Sequence, residues 1–381
     1  MAKKTIYLDY AAATPMDKSV LTAMQPFFMD RFYNPSATYK AALDVNKTMS
    51  AARSKVAHWL GARSSEIIFT AGGTEANNLA IHGIMKLYPN ANILVSAIEH
   101  ESVILPAQNY NYRVIKVQAD GRLDLEDLET KIDDQTVLIS IMQANNEIGT
   151  VQPIREVSRI IAKIRQRRIS VDNNLPLYLH SDACQAANYL DIHVARLGVD
   201  LLSLNGGKIY GPKQSGALYV KGGVLLAPLI DGGGQERGWR SGTENVAGLV
   251  GFAEALDLAQ TMHHQESFRL QNLQKKFFEL IDEMVPSAKI NGSKRFRLPN
   301  NVHLTIPGQD NERLLILLDQ AGIMAAAGSA CSASHETPSH VLKALGLNDE
   351  AAQSSLRFTM GRGTDVEQLP IVTKTLAKLL N

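Results

Sequence analysis

Asp182 and Gln185 stand just past a short apolar run, and Lys208 follows in the stretch Asn205-Gly206-Gly207-Lys208-Ile209-Tyr210-Gly211-Pro212. A lysine amine and a carboxylate at the ends of two strands can do together what neither does alone. The amine can hold an aldehyde cofactor as a Schiff base, and the carboxylate can keep that cofactor's ring nitrogen protonated, so that the ring draws electrons from a bound amino acid. The pair therefore points to pyridoxal 5'-phosphate. Asp182 could equally cap a helix, and Lys208 could be one more surface lysine. Their company favours the cofactor. Thr70-Ala71-Gly72-Gly73-Thr74-Glu75 puts two glycines and a threonine between a strand and a helix, where backbone amides can cradle a phosphate, and Tyr210-Gly211-Pro212-Lys213 forces a sharp turn after Lys208. Neither segment is a Rossmann or Walker pattern, because Asn205 to Ile209 lacks the earlier glycine and has Ile209 where a magnesium-binding hydroxyl would stand.

These residues need elements to position them. From about Ser64, short apolar runs alternate with longer segments of helical period: Ile67 to Phe69, Ile93 to Val95, Val114 to Val117, Val137 to Ile139, Leu177 to Leu179, Leu201 to Leu204 and Ala217 to Val220. Such alternation predicts an α/β layer on a mostly parallel sheet with helices on both faces, and ligands of such sheets gather at the carboxyl ends of the strands. Thr70 to Thr74, His100, Asn145 and Asn146, His180 to Gln185 and Lys208 all fall there. Beyond about residue 260, Phe268, Leu270, Leu273, Phe277, Leu280, Ile281 and Met284 mark a long amphipathic helix. The expected division is a large domain over 16–259 and a smaller α+β domain formed by 1–15 and 260–381. The smaller one includes a strand at Val302 to Ile306, a helix over Glu312 to Ala321, and a small-residue loop from Ala325 to Ser334. Ile6 to Leu8 could pack with either.

The bulk numbers exclude several classes. The chain has 381 residues, 45% hydrophobic and 20% charged, with 39 basic and 38 acidic side chains for a formal charge of +1. That balance leaves no electrostatic footprint for nucleic acid or anionic lipid. No apolar stretch reaches the roughly 18 residues of a spanning helix, and the opening Met1-Ala2-Lys3-Lys4 leads into too short an apolar core for a signal peptide. The chain reads as cytoplasmic. Only Cys184 and Cys331 are present, so no disulfide framework exists. No metal is expected, since His335, Glu336 and His340 are wrongly spaced for one helix face and Pro338 interrupts them.

In order along the chain stand Tyr7-Leu8-Asp9-Tyr10-Ala11-Ala12-Ala13-Thr14-Pro15, Asn34-Pro35-Ser36, Thr70 to Asn78, Glu99-His100, Ala144 to Gly149, Asp182 to Gln185, Lys208 to Lys213, Arg240-Ser241-Gly242-Thr243-Glu244-Asn245, Gly328-Ser329-Ala330-Cys331 and Leu356-Arg357-Phe358. This series resembles the cysteine desulfurases, within the class V group of fold-type I pyridoxal phosphate enzymes, over essentially the whole length. The resemblance implies that Lys208 carries the Schiff base, Asp182 pairs with the pyridinium, Gln185 bonds the phenolic oxygen, and His100 stacks on the ring and helps move protons. Gly73, Thr74 and Ser203 or Asn205 would meet the phosphate. Asn34, Asn146 and Arg357 would hold the substrate, Asn146 touching the cofactor as well, and an arginine fork suits a carboxylate. Thr243 would reach the phosphate of a neighbouring subunit, which implies a homodimer. Two departures stand out. The family usually has Ser-x-His before the lysine where this chain has Asn205-Gly206-Gly207, and histidine where it has Tyr39.

The cofactor alone leaves transamination, decarboxylation, racemisation and elimination open. Cys331 discriminates. It sits in Ala325-Ala326-Ala327-Gly328-Ser329-Ala330-Cys331-Ser332-Ala333-Ser334, a run with almost no bulky side chain to anchor it, which suits a thiol that reaches in, accepts an atom and swings out. The other reading of Cys331 is a small buried hydrophobe, as Cys184 between Ala183 and Gln185 reads. On the first reading L-cysteine displaces Lys208, the amine takes the α-proton, and the Cys331 thiolate attacks the substrate sulfur, leaving a persulfide and L-alanine. His335 to Leu342 resembles the long-loop members that pass persulfide to an acceptor protein, an iron–sulfur scaffold or a tRNA-thiolation enzyme. The alternatives are a selenocysteine lyase, another class V aminotransferase, and a sulfur-relay partner without catalysis; Lys208 argues against the last and Cys331 against the aminotransferase.

Overall fold

In the computed structural model, which describes residues 5–328 and 338–380, the strands are β1 (Ile6–Tyr7), β2 (Ile67–Thr70), β3 (Asn92–Ser96), β4 (Asn111–Ile115), β5 (Thr136–Ser140), β6 (Tyr178–Asp182), β7 (Leu201–Asn205), β8 (Gly216–Val220), β9 (Lys289–Ile290), β10 (Asn301–Thr305), β11 (Ile323–Met324) and β12 (Ser355–Thr359). Seven of them form one sheet in the order β2-β8-β7-β6-β5-β3-β4. Neighbours pair in parallel from β7 to β4, and β8 runs antiparallel to both β7 and β2. The reversal has a local cause. Only the turn containing Lys208 and Pro212 separates β7 from β8, too short for the crossover that a parallel return requires.

Both faces of this sheet are covered, and alternate residues divide between them as the pleat demands. Ile67, Phe69, Leu202, Leu204, Ala217 and Tyr219 enter one core with the helices Lys40–Leu60 and Ile154–Ser170. Ile68, Leu201, Leu218 and Val220 enter the other with the helix Gly73–Met85. The strand expected at Val114 to Val117 lies earlier, at Asn111–Ile115. It is an edge strand with exposed positions, so its apolar run marks only its end.

A separate core surrounds the antiparallel sheet β12-β10-β9 and the parallel pair β1-β11. Ile6 pairs with Ile323, and Ile6 and Leu8 are buried in this core, which answers where the N-terminal strand packs. The long helix runs over Val246–Met284, beginning well before the amphipathic pattern does. Its first part, Val246 to Ala259, packs into the large sheet's core, whereas Leu270, Leu273, Phe277, Leu280 and Ile281 pack into the smaller one. A helix buried almost all round has no polar stripe, so periodicity finds only its second part. Asn245 starts it, its side chain accepting from the Gly248 amide at 3.0 Å. Among the described residues no helix is long and apolar enough to cross a membrane.

Candidate active site

The carboxyl ends of β2, β6 and β7 open on a cavity of about 190 Å³. It is lined by Gly73, Thr74, His100, Asn146, Asp182, Gln185, Asn205, Lys208 and Arg357, so one chain brings together nine of the residues singled out from the sequence. Ser203 is not among them: it is fully buried in β7, its hydroxyl 2.9 Å from His180 Nε2. Asn34 and Thr243 are exposed and do not line the cavity. Cys331 lies outside the described residues.

Asp182 ends β6, nearly buried, with Oδ2 accepting from Asn77 Nδ2 at 2.7 Å and Oδ1 from the Cys184 amide at 2.9 Å. Asn77 also donates to Ser102 Oγ at 2.9 Å, and that hydroxyl lies 2.8 Å from His100 Nδ1. His100 caps the helix Glu101–Ala107, its Nδ1 accepting from the Ser102 amide at 3.0 Å. With Nδ1 serving as acceptor, the neutral ring carries its proton on Nε2. A continuous hydrogen-bonded path thus joins the carboxylate to the imidazole through Asn77 and Ser102, neither of which had been assigned a role from the sequence.

Lys208 closes the short 3₁₀ turn Gly206–Lys208, which Asn205 caps by accepting from the Gly207 amide at 3.1 Å. Its Nζ donates to the carbonyls of Ala11 and Ala12, both at 2.7 Å, and Gln185 Nε2 donates to Ala11 at 3.0 Å. The N-terminal turn therefore forms one wall. A second cavity of about 210 Å³ adjoins the first through Gly73, Thr74, Asn205 and Lys208, and adds Gly72, Gly207 and Lys213. Gly72 holds φ at 131°, and a Cβ on Gly73 would lie 2.5 Å from Cys184 Sγ, so the backbone at this helix start comes closer than any side chain would permit. Helix amides and the Lys213 ammonium, the latter held 2.6 Å from the Thr14 carbonyl, make this cavity a cradle for an anion. Where the family's usual imidazole would begin, a Cβ on Gly207 would come nearest to the flexible Lys213 Cδ, at 3.3 Å, and then to Asn205 Oδ1, at 3.5 Å. The lysine shares the space that the histidine would enter.

Arg357, on β12, is 1% exposed. Its Nη2 donates to Asp9 Oδ1 at 2.7 Å and its Nη1 to the Asn146 carbonyl at 3.0 Å, while Nε is buried without a partner among the described residues. The described residues on either side of the Cys331 segment are fastened to cavity residues or to their chain neighbours. Upstream, Ala326 and Arg357 exchange backbone hydrogen bonds. Downstream, Ser339 Oγ donates to Glu147 Oε2 at 2.6 Å and His340 Nε2 lies 2.9 Å from the Glu99 carbonyl.

Three groups around the site titrate far from their ordinary ranges because they are buried. Glu99 is pushed up to about 8, mainly by burial, against hydrogen bonds from Ser96 and the Met142 amide. His180, between Ser140 and Ser203, is pushed down to about 4 by burial. His303 is pushed down to about 3 by burial and then by Arg297 and Arg357. The signs oppose one another. Between about pH 4.5 and 6.5 the unfolded chain binds two imidazole protons that the folded chain lacks, while the folded chain binds one carboxyl proton more. These groups then make stability rise with pH by about 1.4 kcal/mol per unit. From about 6.5 to 8 only Glu99 differs; its raised folded pKa means stability is lost as pH rises. Urea titrations at pH 5, 6.5 and 8 should show a maximum near pH 6.5, and Glu99→Gln should remove the alkaline fall and about double the slope of the rise below pH 6.5.

The residues present fit pyridoxal 5'-phosphate: a lysine, an acid opposite it and an anion cradle surround two adjoining cavities. The comparisons agree. The profile described as "Aminotransferase class-V" matches residues 6–372. The cysteine desulfurase IscS of Dictyoglomus turgidum is 39% identical over 385 residues, 99% of this chain and 95% of that one. That of Methanosarcina thermophila is 41% identical over 389 residues, covering 99% and 93%. Among solved structures, a NifS-like protein superposes with a TM-score of 0.90 at 31% identity, covering 99% of both chains. One described as SspA in complex with cysteine reaches 0.79 at 34% identity, covering 93% and 99%. A lysine, a carboxylate and an anion cradle arranged on an α/β sheet, together with matches that span nearly every residue, place this chain in the class-V aminotransferase family, among its cysteine desulfurases.

Proposed function

We propose that this chain takes sulfur from L-cysteine, releases L-alanine and carries the sulfur as a persulfide on Cys331. The observation that carries the reading is that one end of the Cys331 segment is paired with Arg357 of the cavity holding Lys208 and Asp182, and the other with Glu147 and Glu99, the chain neighbours of the cavity residues Asn146 and His100. Arg357 receives the substrate carboxylate on the N–H groups that Asp9 and Asn146 leave over. Pyridoxal 5'-phosphate, held by Lys208, Asp182, Gln185 and the Gly72 to Thr74 cradle, supplies the electron sink for the charge left at Cα. The Lys208 amine moves the α-proton, and His100 exchanges a proton at Nε2. Cys331 as thiolate attacks the substrate sulfur: the S–S bond forms, the C–S bond breaks, and protonation of the former sulfur-bearing carbon completes L-alanine.

Thr243 contributes to the phosphate site of a second copy. In support, it is exposed and does not line its own cavity, and Phe28, Met29 and Phe32, close together in the chain, are each exposed, at 59%, 81% and 65%. The persulfide passes to an acceptor protein, an iron–sulfur scaffold or a tRNA-thiolation enzyme. Labelling with ³⁵S-cysteine followed by non-reducing separation tests the reaction. Cys331→Ala should keep the cofactor's absorbance yet lose protein-bound label and sulfide release by at least about 10²-fold. Ordinary sulfide production by that variant would sink the assignment.

A further inference from the structure

We propose that Asp9 is a positioning residue of the carboxylate site, which fixes the aim of Arg357 and cancels its charge until substrate arrives. This rests on the reading of Arg357 as the holder of the substrate carboxylate. A guanidinium 1% exposed needs a counter-charge. Asp9 Oδ1 supplies it at 2.7 Å from Nη2, and the Asn146 carbonyl takes Nη1 from another side at 3.0 Å. Two pins stop the plane from turning, and the buried Nε, without a partner among the described residues, remains.

Asp9 is itself held in place. It pairs with Thr359, two residues along β12 from Arg357, and the Tyr7 hydroxyl lies 2.8 Å from its carbonyl and 2.9 Å from that of Ala13, its one proton shared between them. The same turn offers Ala11 and Ala12 to Lys208. One N-terminal turn thus touches the amine that acts on the substrate and the guanidinium that orients it. A carboxylate entering the cavity must share Arg357 with Asp9, so it is held more weakly than by an uncompensated arginine, and L-alanine leaves readily.

Propionate, a carboxylate with no amine, is the probe, used on the holoenzyme as a competitor of L-cysteine. Arg357→Gln should raise its inhibition constant about tenfold or more; an unchanged constant would overturn the carboxylate reading and this proposal with it. Asp9→Asn, which keeps an acceptor oxygen but no charge, should lower the constant about tenfold. Saturating propionate should also raise the melting temperature of Asp9→Asn more than that of the wild type, because it restores the missing counter-charge. If Arg357→Gln weakens propionate while Asp9→Asn leaves the constant unchanged or raises it, Asp9 has no such role and the reading of Arg357 stands. Should the asparagine variant not accumulate as holoenzyme, Asp9→Ser, also neutral, makes the same prediction.

Discussion

Lys208→Ala is expected to lose at least about 10³-fold in L-alanine formation even with saturating pyridoxal 5'-phosphate. Two losses combine in that figure. The Nζ that would attach the cofactor is gone, and so is the amine that moves the α-proton, a role worth about 10²–10⁴-fold by itself. The fold should survive. The ammonium donates to two carbonyls of the N-terminal turn, and Gln185 still donates to Ala11 in its absence. Turnover within tenfold of wild type, measured at saturating L-cysteine on protein with an unchanged circular dichroism spectrum, would remove Lys208 from the mechanism.

Asp182→Asn should lower turnover by about 10²-fold or more while the cofactor remains bound. Both carboxylate oxygens accept from N–H donors, Asn77 and the Cys184 amide. An amide in that place turns one acceptor into a donor, so an NH₂ group faces another N–H in a nearly buried position, at a cost of about 1–3 kcal/mol. It also removes the charge that keeps the ring nitrogen protonated, on which the electron sink depends. Attachment through Lys208 and the cradle at Gly72 to Thr74 are untouched, so binding and rate should separate. Measurement of cofactor content beside turnover decides the matter: wild-type rates at full occupancy would contradict the role of the acid.

How much was legible beforehand follows from which interactions are local. Each strand of the large sheet except the edge strand β4 is a short, mostly buried run, and the phosphate turn and the Lys208 turn are written in consecutive residues, so these showed in the sequence. The first part of the Val246–Met284 helix did not, because a helix buried on all sides has no amphipathic stripe. The edge strand Asn111–Ile115 was displaced for the opposite reason, too few buried positions. Ser203 or Asn205 was left open for the phosphate; Ser203 is buried in β7 against His180, whereas Asn205, at the end of that strand, lines the cavity.

The sequence by itself determined the elements, the order of the chemical residues along the chain and, through Asp182, Lys208 and Cys331, the kind of chemistry they suit. Those are matters of residue type and short spacing. Only the tertiary structure decided that Asp9 meets Arg357, that Asn77 and Ser102 link Asp182 to His100, that Lys213 faces the anion cradle, and that Ala326 and Ser339 tie the Cys331 segment to Arg357 and Glu147. Each of these joins residues on different elements. No local propensity encodes such a meeting; it exists once the hydrophobic cores have closed and set the N-terminal turn, the large sheet and β12 around one space.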